Sequence, residues 1–324
     1  MKCYIALTAP VSDTDVYVNL LAVTLRSARK NTTLDLYALY DGPTTSRCYQ
    51  LLQENNVTII SHQFSHKQYL EKTYPKEYLL QYHGKLISYD KLAGTFMRLD
   101  IPFIEQEDKF VLYVDIDVMF LQDIKLEDLP KPTYLAASSE FFKDLESMTY
   151  FNAGILLMNV KNMRSKCQNI FNHLKAGEPN KTNIFDQGYL NDECFEDRTL
   201  VPLEYNWKPY WGINPQAKII HFHGLKPSGD FESSGFGMNE EVLGETVFGH
   251  TEDIAGYMYY FSKFFAFLGT DGTEWISHFT TSLCRGCLIV QKLIYKKRLR
   301  ALHKVYAIVL GILVLLAAGA FLIL

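Results

Sequence analysis

Residues 110–120, FVLYVDIDVMF, hold nine apolar or aromatic side chains and two aspartates, Asp115 and Asp117, spaced two apart. A run this apolar predicts a strand buried on both faces. In an extended chain, positions i and i+2 share a face, so the two carboxylates stand side by side in apolar surroundings. They repel each other and lose solvation, and therefore need a proton or a cation between them. A hard divalent cation bound by oxygens neutralises both and keeps positions open for phosphate oxygens.

The elements around this segment set the fold class. Residues 3–9 read as a strand, and 16–30 as a helix with Tyr17, Leu20, Leu21, Thr24, Leu25 and Ala28 on one stripe. Further strands are expected at 34–41, 57–64, 134–140, 153–160, 199–205 and 217–223, with a helix over 161–175. Apolar strands separated by helices predict an α/β domain with a mostly parallel, Rossmann-like sheet covered on both faces. Ligands of such sheets sit beyond the carboxyl ends of the strands, which makes Asp115 and Asp117 site candidates. A second pair, Asp13-Thr14-Asp15, precedes a helix and reads as its N-terminal signal.

Charge and hydropathy divide the chain further. The net charge is −4, but Lys292, Lys296, Lys297, Arg298, Arg300 and Lys304 cluster near the C-terminus, leaving −10 on the rest. An acidic body excludes nucleic acid as partner, because that would require positive charge on the folded domain. Residues 305–324, VYAIVLGILVLLAAGAFLIL, carry no charge. Their length matches a helix crossing a ~30 Å hydrocarbon core, so a transmembrane helix is expected there. Residues 256–304, aromatic and then basic, read as a membrane-proximal segment lying on a bilayer; residues 1–255 are the folded body.

The N-terminal residues lack the apolar core of a signal peptide, and a basic flank stays on the cytoplasmic side of a span. The body is thus expected to face the cytoplasm on a single-pass C-terminal anchor. Six scattered cysteines fit a reducing compartment, and Cys284 and Cys287 form a single C-x-x-C without a second pair. Asn31, Asn56 and Asn180 head glycosylation sequons that would report a lumenal body.

IIHFHGLKPSG, residues 219–229, places His221, His223 and Lys226 around Gly224 just past an expected strand. A histidine can complete a carboxylate metal site, and mixed nitrogen and oxygen ligation tilts the choice toward Mn²⁺ over Mg²⁺. Glycine allows close backbone approach to a ligand, and lysine supplies charge for phosphate. A lone strand histidine is more often structural; the aspartates raise its standing. Asn152, Asp186 and Gln187 lie beside Gly154 and Gly188, where short polar residues serve either a ligand or the turn itself.

The segments LYVDIDVMFLQDI, YFNAGILLMNV, DQGYLN, YNWKPYW and IIHFHGLKP occur in the order seen in glycosyltransferase family 8. The chain resembles that family, which includes glycogenin and the bacterial lipopolysaccharide α-glycosyltransferases, from about residue 3 to 229. The resemblance implies a GT-A fold for residues 1–255, a UDP-sugar donor, Mn²⁺ and retention of anomeric configuration. It implies that Asp115, Asp117 and His221 are the metal ligands and that Gly224 and Lys226 contact the diphosphate. It places Arg98, from GTFMRLDIP, near the donor, and Asn152, Asp186 and Gln187 along the donor sugar, with Gln187 near the anomeric carbon. Ala6 and Thr8 would lie by the uridine, with Tyr17 the aromatic candidate nearby. One departure stands out: only Leu225 separates Gly224 from Lys226, and Ser228 replaces the family's tryptophan, which shortens the phosphate loop.

The expectation is a membrane-anchored, retaining hexosyltransferase acting on a glycan or lipid-linked acceptor. The alternatives are a non-catalytic UDP-sugar- or glycan-binding membrane protein and a nucleotidyltransferase. The last would need a glycine-rich phosphate loop near the N-terminus, and LTAPVSDTD has none.

Overall fold

The computed structural model describes residues 1–8, 15–224 apart from 85, 142 and 147, then 226–227, 251–269 and 299. Strand β1 (Lys2–Thr8) pairs in parallel along its whole length with β2 (Asp35–Asp41), which pairs in parallel with β3 (Thr58–Ser61). On its other side β1 runs parallel to β4 (Phe110–Val114). One strand, β7, runs in the reverse direction, and two more lie beyond it. β6 (Leu135–Ser139) and β4 both pair antiparallel with β7 (Phe151–Asn159), and β8 (Thr199–Leu200) closes the edge parallel to β6. The order is β3-β2-β1-β4-β7-β6-β8, a mixed but mostly parallel sheet.

All of β7 is buried, as expected of a strand covered on both faces. Helices α1 (Asp15–Asn31) and α2 (Arg47–Glu54) cover one face of the sheet. The other is covered by α3 (Lys76–His83), α4 (Tyr89–Phe96), α5 (Val160–Ala176) and α6 (Phe185–Cys194). Local chemistry sets the ends. Ser46 Oγ accepts from the Tyr49 N–H at the start of α2, and Asn159 accepts from Asn162 at the start of α5. Gly177, with φ of 80°, closes α5 in the left-handed conformation that glycine takes without strain.

The structure corrects three sequence expectations. The single strand expected over residues 110–120 ends at Val114. Residues 115–117 turn into β5 (Val118–Phe120), which leaves the main sheet and pairs antiparallel with β9 (Ile219–His221). A sheet covered on both faces offers no solvation to carboxylates, and the turn brings Asp115 to partial exposure. Residues 199–205 do not form one strand either. Pro202 cannot donate to a ladder, and the chain enters a 3₁₀ turn at Leu203–Asn206.

The third correction is α7 (Thr251–Leu268), the aromatic segment expected on a bilayer. Tyr257, Tyr260, Phe261, Phe264 and Phe265 are buried in one cluster with Leu20, Val23, Trp211 and Phe222. Phe264 meets Phe222 edge-on at 5.3 Å. Arg26 of α1 donates to the carbonyls of Phe267 and Leu268 at 3.1 and 2.9 Å, closing the helix. A Cβ on Gly256 would lie 2.1 Å from the Pro209 carbonyl oxygen, so α7 approaches at a distance only glycine permits. The expected boundary between 255 and 256 therefore falls inside a helix that belongs to the body.

Among the described residues no helix is long and apolar enough to cross a membrane. The span expected at 305–324 lies outside them, as do residues 270–298 with Cys284 and Cys287, and Asp13 and Thr14.

Truncating Phe264 removes a fully buried ring, and Phe264→Ala is expected to destabilise the folded chain by about 3–5 kcal/mol. Urea unfolding of the detergent-solubilised full chain measures this. An unchanged midpoint would show that α7 is not packed on the body.

Candidate active site

Asp115 follows the last residue of β4 and Asp117 precedes the first residue of β5. The β5–β9 ladder sets Val118 opposite His221, and the Phe222 N–H bonds the Asp117 carbonyl at 2.9 Å. The small sheet thus carries the histidine to the acidic turn. Ligand atoms of Asp115, Asp117 and His221 lie within 4.8 Å of one another. Gly154 of β7 backs this cluster, since a Cβ there would stand 2.3 Å from His221 Cε1 and 2.9 Å from Asp115 Oδ2.

Positive charge converges on the same turn. Lys226 forms an ion pair with Asp117 Oδ2 and donates to the Phe222 carbonyl at 2.7 Å. Arg98, buried at the end of the α4 region, places Nη2 3.1 Å from Asp115 Oδ1 and donates through Nη1 to the Ala153 carbonyl. Its guanidinium lies over the Tyr113 ring at 4.6 Å, and the Tyr113 hydroxyl donates to Asp115 Oδ1 at 2.6 Å. Arg98 Nε is 2.9 Å from Asp186 Oδ2, but its hydrogen points to the Thr95 carbonyl at 3.0 Å. Asp186 Oδ2 therefore receives charge without a hydrogen bond.

The carboxylates respond differently to these partners. Burial pushes the Asp117 carboxyl up, but Lys226 and His221 outweigh it and hold the group below the usual range. Burial also raises Asp186; Arg98 offsets part of this, and the net shift is upward. Asp117 Oδ1 is buried with no hydrogen-bond partner, and His221 Nε2 lies 3.4 Å away, an ion contact only when the imidazole is protonated. A buried acceptor left open beside a carboxylate and an imidazole suits a divalent cation, so the three residues fit such a group.

The other expected residues divide into two sets. Gln187 Oε1 accepts from the Ala153 N–H at 2.8 Å, next to Arg98 and Asp186. Gly224 adopts φ of 94°. Asn152 is buried, and its amide has protein partners at both ends: Glu140 on nitrogen, and Gly154 and Asn206 on oxygen. Ala6 and Thr8 end β1, beside the end of β4, where Thr8 bonds the Asp90 carbonyl at 3.3 Å and packs against Gly94. Tyr17 lies under Lys91, 5.9 Å from the ring centre.

A buried polar layer beneath the cluster was not anticipated from sequence. His221 Nδ1 lies 3.0 Å from Asn206 Oδ1, and Glu140 is bonded to His223 and Asn152. Burial pushes the Glu140 carboxyl up, yet His223, Lys208 and Asn152 together pull it down to about 2. Lys208 is fully buried, donates to the Ser139 carbonyl at 2.6 Å, and is lowered by burial to about 7 despite Glu140. Glu140 follows the end of strand β6 as Asp115 follows β4, and that position was the available signal for it.

Known proteins resemble this chain in sequence and in fold. A sequence profile described as Glycosyl transferase family 8 matches residues 11–228. Glycosyltransferase GlyB of Streptococcus pneumoniae serotype 4 is 30% identical over 163 residues, 41% of this chain and 38% of that protein. A Haemophilus influenzae protein is 30% identical over 142 residues, 39% of this chain and 42% of its own length. The chain thus spans about two fifths of the curated relatives it matches. Among solved structures, an active-site mutant of LgtC shares the fold at a TM-score of 0.50 and 19% identity, covering 85% of this chain and 99% of that one.

Gly154→Ala is expected to weaken binding of a divalent probe such as Mn²⁺ by about 10- to 100-fold, because the new methyl group displaces His221 and Asp115. Electron paramagnetic resonance of free Mn²⁺ reads the change. Wild-type affinity in this variant would show that the cation is not held against β7.

Proposed function

The chain belongs to glycosyl transferase family 8, and from that premise we propose that it is a retaining hexosyltransferase using a UDP-sugar donor. The observation that carries this reading is the convergence of Asp115, Asp117 and His221 with Arg98 and Lys226 beyond the carboxyl ends of β1 and β4. A divalent cation held by those three ligands, Mn²⁺ in preference to Mg²⁺, would supply charge to stabilise the departing diphosphate. Lys226 adds a positive charge on the same side, where negative charge grows as the sugar leaves.

The remaining residues bear on how the glycosidic bond changes hands. Arg98 holds Asp115 and Asp186 in fixed positions, so the metal ligand and the donor-side acid share one anchor. Gln187 Oε1 is occupied by the Ala153 N–H, and an amide oxygen carries no charge for attack on the anomeric carbon. Asp186 is committed to Arg98. Front-face substitution needs neither as nucleophile. The acceptor oxygen bonds to the anomeric carbon on the face from which the diphosphate oxygen leaves. The acceptor proton passes to that same phosphate, and configuration is retained.

A membrane anchor is part of this proposal because residues 305–324 have the charge-free length of a span and basic residues precede them. Such an anchor would hold the site near glycan or lipid-linked acceptors with the body in the cytoplasm. The Asn31 and Asn180 side-chain nitrogens donate into the fold, to the Phe120 and Phe185 carbonyls, so Asn56 is the sequon suited to a topology assay.

The full chain, in detergent, is expected to release UDP slowly from a UDP-hexose only when Mn²⁺ is present. Asp117→Asn should lower that rate by about 10²-fold or more. A screen over glucose, galactose, N-acetylglucosamine and xylose donors measures it. Tight UDP binding without turnover on any of them, or unchanged turnover in the variant, would contradict the proposal.

A further inference from the structure

His221 sits at the end of an ordered hydrogen-bond chain that begins at Glu140. Glu140 Oε2 accepts from Asn152 Nδ2 at 2.7 Å. Asn152 Oδ1 accepts from Asn206 Nδ2 at 3.0 Å, and Asn206 Oδ1 faces His221 Nδ1 at 3.0 Å. All four residues are buried, from 0% exposure at Asn206 to 7% at Glu140, so water does not compete for these partners.

The direction of this chain is determined at two points. A carboxylate only accepts, so Asn152 must turn its nitrogen toward Glu140. The Gly154 backbone N–H only donates, and it lies 3.0 Å from Asn152 Oδ1, so the oxygen must turn that way. Reversing the amide would set oxygen against carboxylate and NH₂ against N–H, two repulsive contacts in a buried site. With Asn152 oriented, Asn206 must donate to it and present its own oxygen to His221. Nδ1 of His221 therefore carries a hydrogen whether the ring is charged or neutral, and in the neutral ring Nε2, 3.4 Å from Asp117 Oδ1, is the nitrogen left bare.

We infer that Glu140 is a positioning residue that fixes the tautomer of His221 through Asn152 and Asn206, keeping Nε2 ready to ligate a cation. This rests on the metal role of His221 given under the proposed function. The opposite tautomer would direct Nε2–H at Asp117 and close the site to a cation. Gly154 serves twice, making room for the imidazole ring and orienting the amide that governs its proton. The chain also explains why Asn152 is turned into the protein although it borders the site.

Nitrogen-15 NMR of the full chain with labelled histidine, free of metal, tests this without relying on turnover; His221→Gln identifies the resonance. At a pH where the ring is neutral, the expected result is a proton on Nδ1 and an unprotonated Nε2. In Glu140→Gln, whose side chain can donate as well as accept, a mixed tautomer population and about tenfold weaker Mn²⁺ binding are expected. A neutral ring with its proton on Nε2 in the wild type overturns the inference, whether or not the variant folds. So does a folded variant with wild-type tautomer and affinity. Wild-type chain with Nδ1–H that fails to bind Mn²⁺ would support the relay while removing the metal reading.

Discussion

Two carboxylates brought together at the end of a buried strand must be met by positive charge, and much of the body is arranged around that need. Each buried ion costs several kcal/mol in lost hydration unless partners replace the water. Here Arg98 and Tyr113 serve Asp115, while Lys226 serves one oxygen of Asp117. The other oxygen, Oδ1, is buried without a hydrogen-bond donor and faces an imidazole. A fully satisfied structural ion pair would not leave that acceptor open. A site shaped for a doubly charged ion would.

The fold delivers these groups from distant parts of the chain with short, rigid means. Arg98 comes from the region after α4, the acids from the turn after β4, and the histidine from a two-stranded ladder outside the main sheet. The antiparallel strand β7 lies against β4 and contributes its glycine at the point of closest approach. β5 and β9 are also roofed by α7, whose aromatic side pins Phe222 directly after His221. The helix therefore supports His221 from behind, which is a reason for its burial beyond the general gain from apolar packing.

What could be read in the sequence follows the strength of local signals. Asp115 and Asp117 interrupt an apolar run, and that contrast alone pointed to a site. The alternation of strands and helices gave the mostly parallel sheet because fully buried strands have continuous apolar composition. The turn at 115–117 was missed because a strand and a strand ending in a tight turn share that composition. The short reach of β8 was hidden by the residues around Pro202. Aromatic residues in α7 looked suited to a bilayer because burial against protein and against lipid select the same side chains. Asn206 and Lys208 lie in YNWKPYW, one of the segments that carry the family resemblance. Their roles depend on contacts with residues far away in sequence, which no spacing rule reveals. Glu140 was the exception that local position could have flagged.

The decisive property is whether the acidic turn and His221 bind a divalent cation that also holds a diphosphate. A crystal of the full chain grown with Mn²⁺ and UDP, with data collected at the manganese absorption edge, addresses this directly. The anomalous peak is expected between Asp115, Asp117 and His221, with diphosphate oxygens on its open side and Lys226 turned from Asp117 toward the phosphate. Nucleotide bound elsewhere, or a cluster that keeps the Lys226–Asp117 pair and shows no anomalous signal, would contradict it.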